Sequence, residues 1–138
     1  MSMLASLQFG DNGAHLYSSE YLVAECNCHF LRRYNHFRPE GIARCDKITV
    51  KVVAPGKNDL GLYEWYANGY VQSGRLIVNL APTGEIDENP KEILFEDAHC
   101  LSLEEVYDKD AHYRRMLILE IVSEKITVDS VEFRNRKD

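Results

Sequence analysis

Leu22-Val23-Ala24-Glu25-Cys26-Asn27-Cys28-His29-Phe30 decides the fold. One phase of this run carries Leu22, Ala24, Cys26, Cys28 and Phe30; the other carries Glu25, Asn27 and His29. Alternation of this kind is the mark of a strand with one face on a core. The run sits inside a longer expected strand, Tyr17 to Tyr34. Before it, Leu4 to Phe9 reads as a first strand, closed by the turn-rich Gly10-Asp11-Asn12-Gly13. After it, Arg32 to Asp46 is polar and basic and holds Pro39 and Gly41, so it reads as a long loop. Lys47 to Val53 is strand again, with Ile48, Val50 and Val52 facing one way, and Pro55-Gly56 ends it.

Asp59 to Asn68 is the only convincing helix. Asp59 is the expected N-cap, and Gly69 stands where a C′ glycine belongs. Leu62, Trp65 and Tyr66 fall at i, i+3 and i+4 and are expected to pack the helix on its neighbour. Ser73-Gly74 reads as a turn before a strand from Arg75 to Leu80. Pro82 to Pro90 is turn-rich. Ile93 to Leu103, Tyr113 to Val122 and Ile126 to Phe133 complete the strands. The expected fold is mainly β: an antiparallel barrel of two packed sheets with one short flanking helix, formed by residues 1–138 as one domain. Parallel α/β is excluded because the crossover helices are missing.

Composition narrows the function. The chain has 138 residues, of which 45% are hydrophobic, 10% aromatic and 28% charged. That is too apolar for a disordered protein, and four cysteines are too few for a disulfide scaffold. The net charge of -6 argues against a general nucleic-acid binder. The first basic residue is Arg32, so no ordinary signal peptide fits. The longest apolar runs, such as Met116 to Leu119, are far too short to span a bilayer, and no membrane insertion is expected. Synthesis in the cytosol, with reduced cysteines, follows as the expectation.

The net charge conceals a split. Arg32 to Lys57 carries seven basic and two acidic residues; Glu85 to Asp110 carries ten acidic and two basic ones. Such segments either pair within the monomer, stay solvated, or meet between copies in a head-to-tail contact that builds rings or filaments.

Chemical constellations are weak. Cys26-x-Cys28-His29 and His99-Cys100 resemble zinc ligands, but two cysteines two apart on a strand share a face with apolar neighbours, and His29 points the other way. Structural zinc sites instead place C-x2-4-C pairs on turns, so buried cysteines are expected. Asp97, His99 and His112 could imitate an acid/base set, yet no nucleophile motif accompanies them. No P-loop or dinucleotide motif is present. Arg32, Arg33 and Arg38 beside Tyr34, His36 and Phe37 could hold single-stranded nucleic acid, against which the overall acidity counts. No catalytic residue, metal or cofactor is expected.

The order of motifs adds more. Met3 to Phe9, Cys28-His29-Phe30-Leu31-Arg32, Arg38-Pro39-Glu40-Gly41, Ile48 to Val52, Leu62-Tyr63-Glu64-Trp65-Tyr66, Leu94 to Cys100 and Met116 to Ser123 resemble, in sequence and spacing, successive segments of the type VI secretion tube proteins. These are the hemolysin-coregulated or Hcp family, particularly its divergent TssD branch in Bacteroidetes. The resemblance implies a closed barrel with a helix on its flank, six-membered rings and stacking into an inner tube. It further implies expulsion from the cytoplasm without a signal peptide, with sheath, tip or spike, and effector proteins as partners. Arg38, Pro39, Glu40, Gly41, Arg44 and Asp46 become candidates for a ring or stacking contact. Glu85, Asp87, Glu88, Glu104, Glu105 and Asp108 become candidates for an acidic partner surface. The competing reading is a monomeric or dimeric β-barrel module for a ligand or single-stranded nucleic acid.

Overall fold

A computed structural model describes residues 4–35, 37–82 and 85–135. Among them are eight strands and one helix: β1 Ala5–Asp11, β2 Leu16–Asn35, β3 Arg38–Val53, α1 Gly61–Asn68, β4 Gln72–Val78, β5 Lys91–Tyr107, β6 Arg115–Val122, β7 Lys125–Val128 and β8 Val131–Arg134. All pairings are antiparallel. The order β4-β1-β2-β3-β6-β5 returns to β4 through a β4–β5 pairing, so six strands close into a ring rather than two separate sheets. β7 and β8 extend it beyond β5.

Closing a sheet demands a stagger between its first and last strand. Here Lys91 of β5 lies opposite Val78, Val78 opposite Ala5, Ala5 opposite Val23 and Val23 opposite Val52. Val52 then faces Leu117, and Leu117 faces Glu105, so the walk re-enters β5 fourteen residues from where it left. β5 therefore has to be long, and its two ends open on opposite sides of the barrel.

The alternation in β2 is real but not uniform. Tyr21 and Val23 are buried while Leu22 is 45% exposed. Val23 pairs with Val52 and Glu25 with Lys51, leaving Ala24 as an extra residue. This bulge flips the phase, so Cys26 and Cys28 pack on the core although Leu22 does not. Phe30, beyond a second irregularity, is half exposed and stacks obliquely on Phe133 of β8 at 5.1 Å.

The expected loop from Arg32 to Asp46 is instead a hairpin arm. Arg33 pairs with Glu40, Tyr34 with Pro39 and Asn35 with Arg38. β3 acquires β6 as a second neighbour only from Ile48 onward. Pro39 is thus tolerated because one edge of β3 is unpaired there.

The helix begins later than the sequence implies, and its N-cap is Leu60 rather than Asp59. Asp59 lies one residue before the cap, where its Oδ1 accepts the Gly61 N–H at 3.1 Å. Gly69 closes it at φ 67°, in the left-handed region that glycine enters without a Cβ clash. Leu62 and Trp65 are fully buried, and the Trp65 indole donates to the Ala98 carbonyl at 3.2 Å. Tyr66 does not pack as expected. It is 47% exposed, and Tyr63 instead lies against the core.

Trp65 joins an aromatic cluster centred on Phe9, whose ring meets Trp65, Tyr21 and Phe95 edge-on at 5.2–5.9 Å. Gly74 lies between Phe9 and Phe95 in the pairing, so it is a strand residue, not a turn. Nearby, the buried Asn12 amide donates to the carbonyls of Gly74 and Phe95 and to Glu96, and its oxygen accepts from Tyr17 at 2.6 Å. One side chain thereby ties the β1–β2 turn to β4 and β5. On the other side, Ser123 and Asn135 stitch the break between β6 and β7: Ser123 Oγ donates to the Glu96 carbonyl, and Asn135 bonds Cys45 N–H and Ser123 carbonyl.

On the outer face Lys47 Nζ donates to Glu120 at 2.5 Å, and Ser102 Oγ donates to its other oxygen at 2.6 Å. The Lys47 ammonium first, and the Ser102 hydroxyl second, hold the Glu120 carboxyl below its ordinary range. A carboxyl lowered on folding contributes stability that is present above its unfolded value and is lost as pH falls through the folded one. Melting temperature should therefore fall on acidification through the carboxylate range. Glu120→Gln should flatten part of that fall; an unchanged profile in the variant would show the bond contributes nothing.

Candidate assembly interface

Each charged segment has an ion pair to a residue outside the other. Lys47 goes to Glu120, and Arg75 goes to Glu92 at 2.8 Å. Asp46 is exposed and lies 3.7 Å from His29 Nδ1. Arg44 is half-buried in the wall of a polar cleft of about 620 Å³ beside Asp46, Glu96, His99 and Lys125. Arg38, Pro39, Glu40 and Gly41 are placed by their backbone within β3, and their side chains lie outside what is described. The arm's tip includes Phe37, at φ 66° and 98% exposed.

The acidic candidates divide between the two ends of β5. Glu85, Asp87 and Glu88 lie in the loop before it; Glu104, Glu105 and Asp108 lie at its end. They also differ in freedom. Glu85, Glu88 and Glu104 are exposed. Asp87 is turned into its own loop and accepts the N–H of Leu80 at 2.8 Å and of Asn89 at 3.0 Å. Asp108 accepts the Asp110 N–H within the β5–β6 turn. Glu105 accepts the hydroxyls of Tyr63 at 2.5 Å and Tyr107 at 2.9 Å, and those two bonds hold its carboxyl below the usual range.

Ile86, 90% exposed, escaped sequence reasoning. A single large apolar residue among acidic neighbours was the available signal. Phe37, weighed above only as an aromatic beside arginines, is almost completely exposed.

Among the described residues the sulfur and imidazole groups do not gather as a metal-ligand cluster. Cys26, Cys28 and Cys100 are half-buried against the core and Cys45 is buried. Burial raises the Cys26 thiol and raises Cys100 to about 11. Asp97 sits at φ 48° in the irregular stretch of β5, exposed, while His112 lies beyond the far end of that strand. Among the described residues no three His, Cys, Asp or Glu side chains converge as metal ligands.

A closed antiparallel barrel that extends a hairpin arm, and that holds apolar side chains out on a loop, has the build of a structural subunit. The chain belongs to the hemolysin coregulated protein Hcp (TssD) family, which it matches over residues 1–136. It is a tube protein of type VI secretion. The fold agrees. Hcp1 from Flavobacterium johnsoniae superposes with a TM-score of 0.74 at 21% identity, over 96% of this chain and 100% of that one. Hcp1 from the E. coli EAEC 042 pathovar gives 0.68 at 14%, over 91% and 90%. A chain of the anti-feeding prophage baseplate gives 0.53 at 9%, over 95% of each. No curated protein matches the chain in sequence.

Proposed function

We propose that six copies of this chain close into a ring and that rings stack into the inner tube of the secretion apparatus. The tube is expelled from the cytoplasm by its sheath, behind a tip or spike, and its lumen takes effector proteins. The observation that carries this reading is membership of the tube-protein family over nearly the whole chain. A ring needs two unlike faces on every subunit. The strand β5, whose two ends open on opposite sides of the barrel, supports that requirement by placing two different surfaces on one subunit. Neither nucleic acid nor a membrane is needed as partner, and no described helix is long and apolar enough to cross a bilayer.

The arm formed by β2 and β3 is the proposed contact to a neighbouring subunit or ring, through Arg38, Pro39, Glu40, Gly41, Arg44 and Asp46. Light scattering with negative-stain microscopy tests the reading: rings of six are expected, and a clean monomer at every concentration and salt would sink it. The variant Arg38→Glu with Arg44→Glu should assemble about tenfold more weakly at low salt, with the difference shrinking as salt screens the charges. Assembly equal to wild type across the salt series would remove the arm from the interface.

A further inference from the structure

We infer that the loop 79–90 of one copy docks, with Ile86 as its anchor, into the cleft between 53–57 and 112–115 of the next copy. The inference rests on the assembly reading above and names the residues of one contact within it.

The described residues of the loop hold Ile86 in place. Asp87 fixes it from within, through the bonds to Leu80 and Asn89, while Asn79 Nδ2 donates to the Glu85 carbonyl and Glu85 N–H to that of Pro82. What is left pointing outward is Ile86 between the exposed carboxylates Glu85 and Glu88. An isoleucine held in water costs free energy that burial in a partner would recover, at roughly 25 cal/mol per Å². Holding it in place beforehand lowers the ordering cost of binding.

The cleft is complementary in both respects. Its volume is about 310 Å³. Val53, Ala54 and Pro55 form an apolar floor, and Lys57, His112 and Arg114 stand exposed at its rim. Among the described residues no carboxylate lines it. Asp108 and Asp110 belong to the same turn, but Asp108 is engaged by the Asp110 N–H. The walls are tied together: Ala54 N–H donates to the Arg115 carbonyl, and the Arg115 guanidinium donates to the Pro55 carbonyl, both at 3.2 Å. An aliphatic anchor flanked by two acids thus faces an apolar floor with a basic rim.

The two surfaces cannot satisfy each other within one copy. The loop precedes β5 and the cleft wall at 112–115 follows it, seventeen strand residues away. At about 3.3 Å per residue that strand separates them by tens of ångströms. A contact between opposite ends is head-to-tail and leaves one loop and one cleft free to propagate.

Four variants test it at low salt, with sedimentation velocity for association and thermal melting for the fold. Glu85→Lys with Glu88→Lys, and separately Lys57→Glu with Arg114→Glu, should each weaken self-association about tenfold or more. All four changes in one chain should restore it, because the charges are again complementary. Ile86→Asp should abolish association and leave the melting temperature unchanged. If wild type assembles and any of the charge-reversed pairs assembles equally well, or the fourfold variant fails to recover, this contact is wrong and the assembly reading stands. If wild type never assembles, both fall.

Discussion

Gly74→Ala is expected to destabilise the barrel by about 3 kcal/mol, and Gly74→Val to prevent it from closing. A Cβ at Gly74 would lie 2.1 Å from the Gln8 carbonyl oxygen and 3.0 Å from the Phe9 Cα. Both are backbone atoms of the neighbouring strand, so no rotamer change relieves the clash; β1 and β4 would have to move apart. That would also disturb β4, the strand whose second pairing, to β5, closes the ring. The rings of Phe9 and Phe95, from the strands on either side, meet at 5.9 Å across the glycine. For a chain of this size the loss corresponds to a fall of roughly 10 °C in melting temperature, read by circular dichroism at fixed protein concentration. A melting temperature within a degree or two of wild type would show that the strands accommodate a methyl group there, and that the closure is looser than described.

Trp65→Ala should cost about 3–5 kcal/mol, the range for removing a fully buried large aromatic side chain. Three losses combine: the buried surface, the edge-on contact with Phe9, and the indole bond to the Ala98 carbonyl, which would be left without that donor. The matched control is Tyr66→Ala, one position along the same helix. Tyr66 is 47% exposed, and its truncation should stay within about 0.5 kcal/mol. Denaturant unfolding of the two variants checks the orientation of the helix. Equal losses would mean that α1 is rotated from the position described.

Much of the architecture was legible because burial leaves a periodic trace. Ile48, Val50 and Val52 alternate in the sequence and are all fully buried. Leu62 and Trp65 likewise announce a helix face. What escaped are features set by neighbours distant in sequence. The extra residue at Ala24 becomes visible only when β2 is laid against β3. Gly74 reads as a turn until the carbonyl of Gln8 is placed beside it. Pro39 and Gly41 look like loop residues because their tolerance depends on an unpaired edge. The charged segments were legible as net charge, but not the state of each residue within them. Glu105 and Glu88 are equivalent in the sequence, yet one is held by two tyrosine hydroxyls and the other is free at a loop tip. The family, by contrast, was visible in the order and spacing of short motifs, each weak alone.

The stagger that closes the ring also sets an order on how the chain folds. β2 and β3, like β7 and β8, meet across a few residues and form at low entropic cost. Ala5 and Val78 are 73 positions apart. Bringing their strands together costs roughly 2–3 kcal/mol more in loop-closure entropy than joining a tight hairpin. Contacts of this separation slow folding. Until they form, β1 and β4 carry open edges of the kind that recruit other chains. Correct assembly between copies thus depends on each copy first completing its long-range strand pairings.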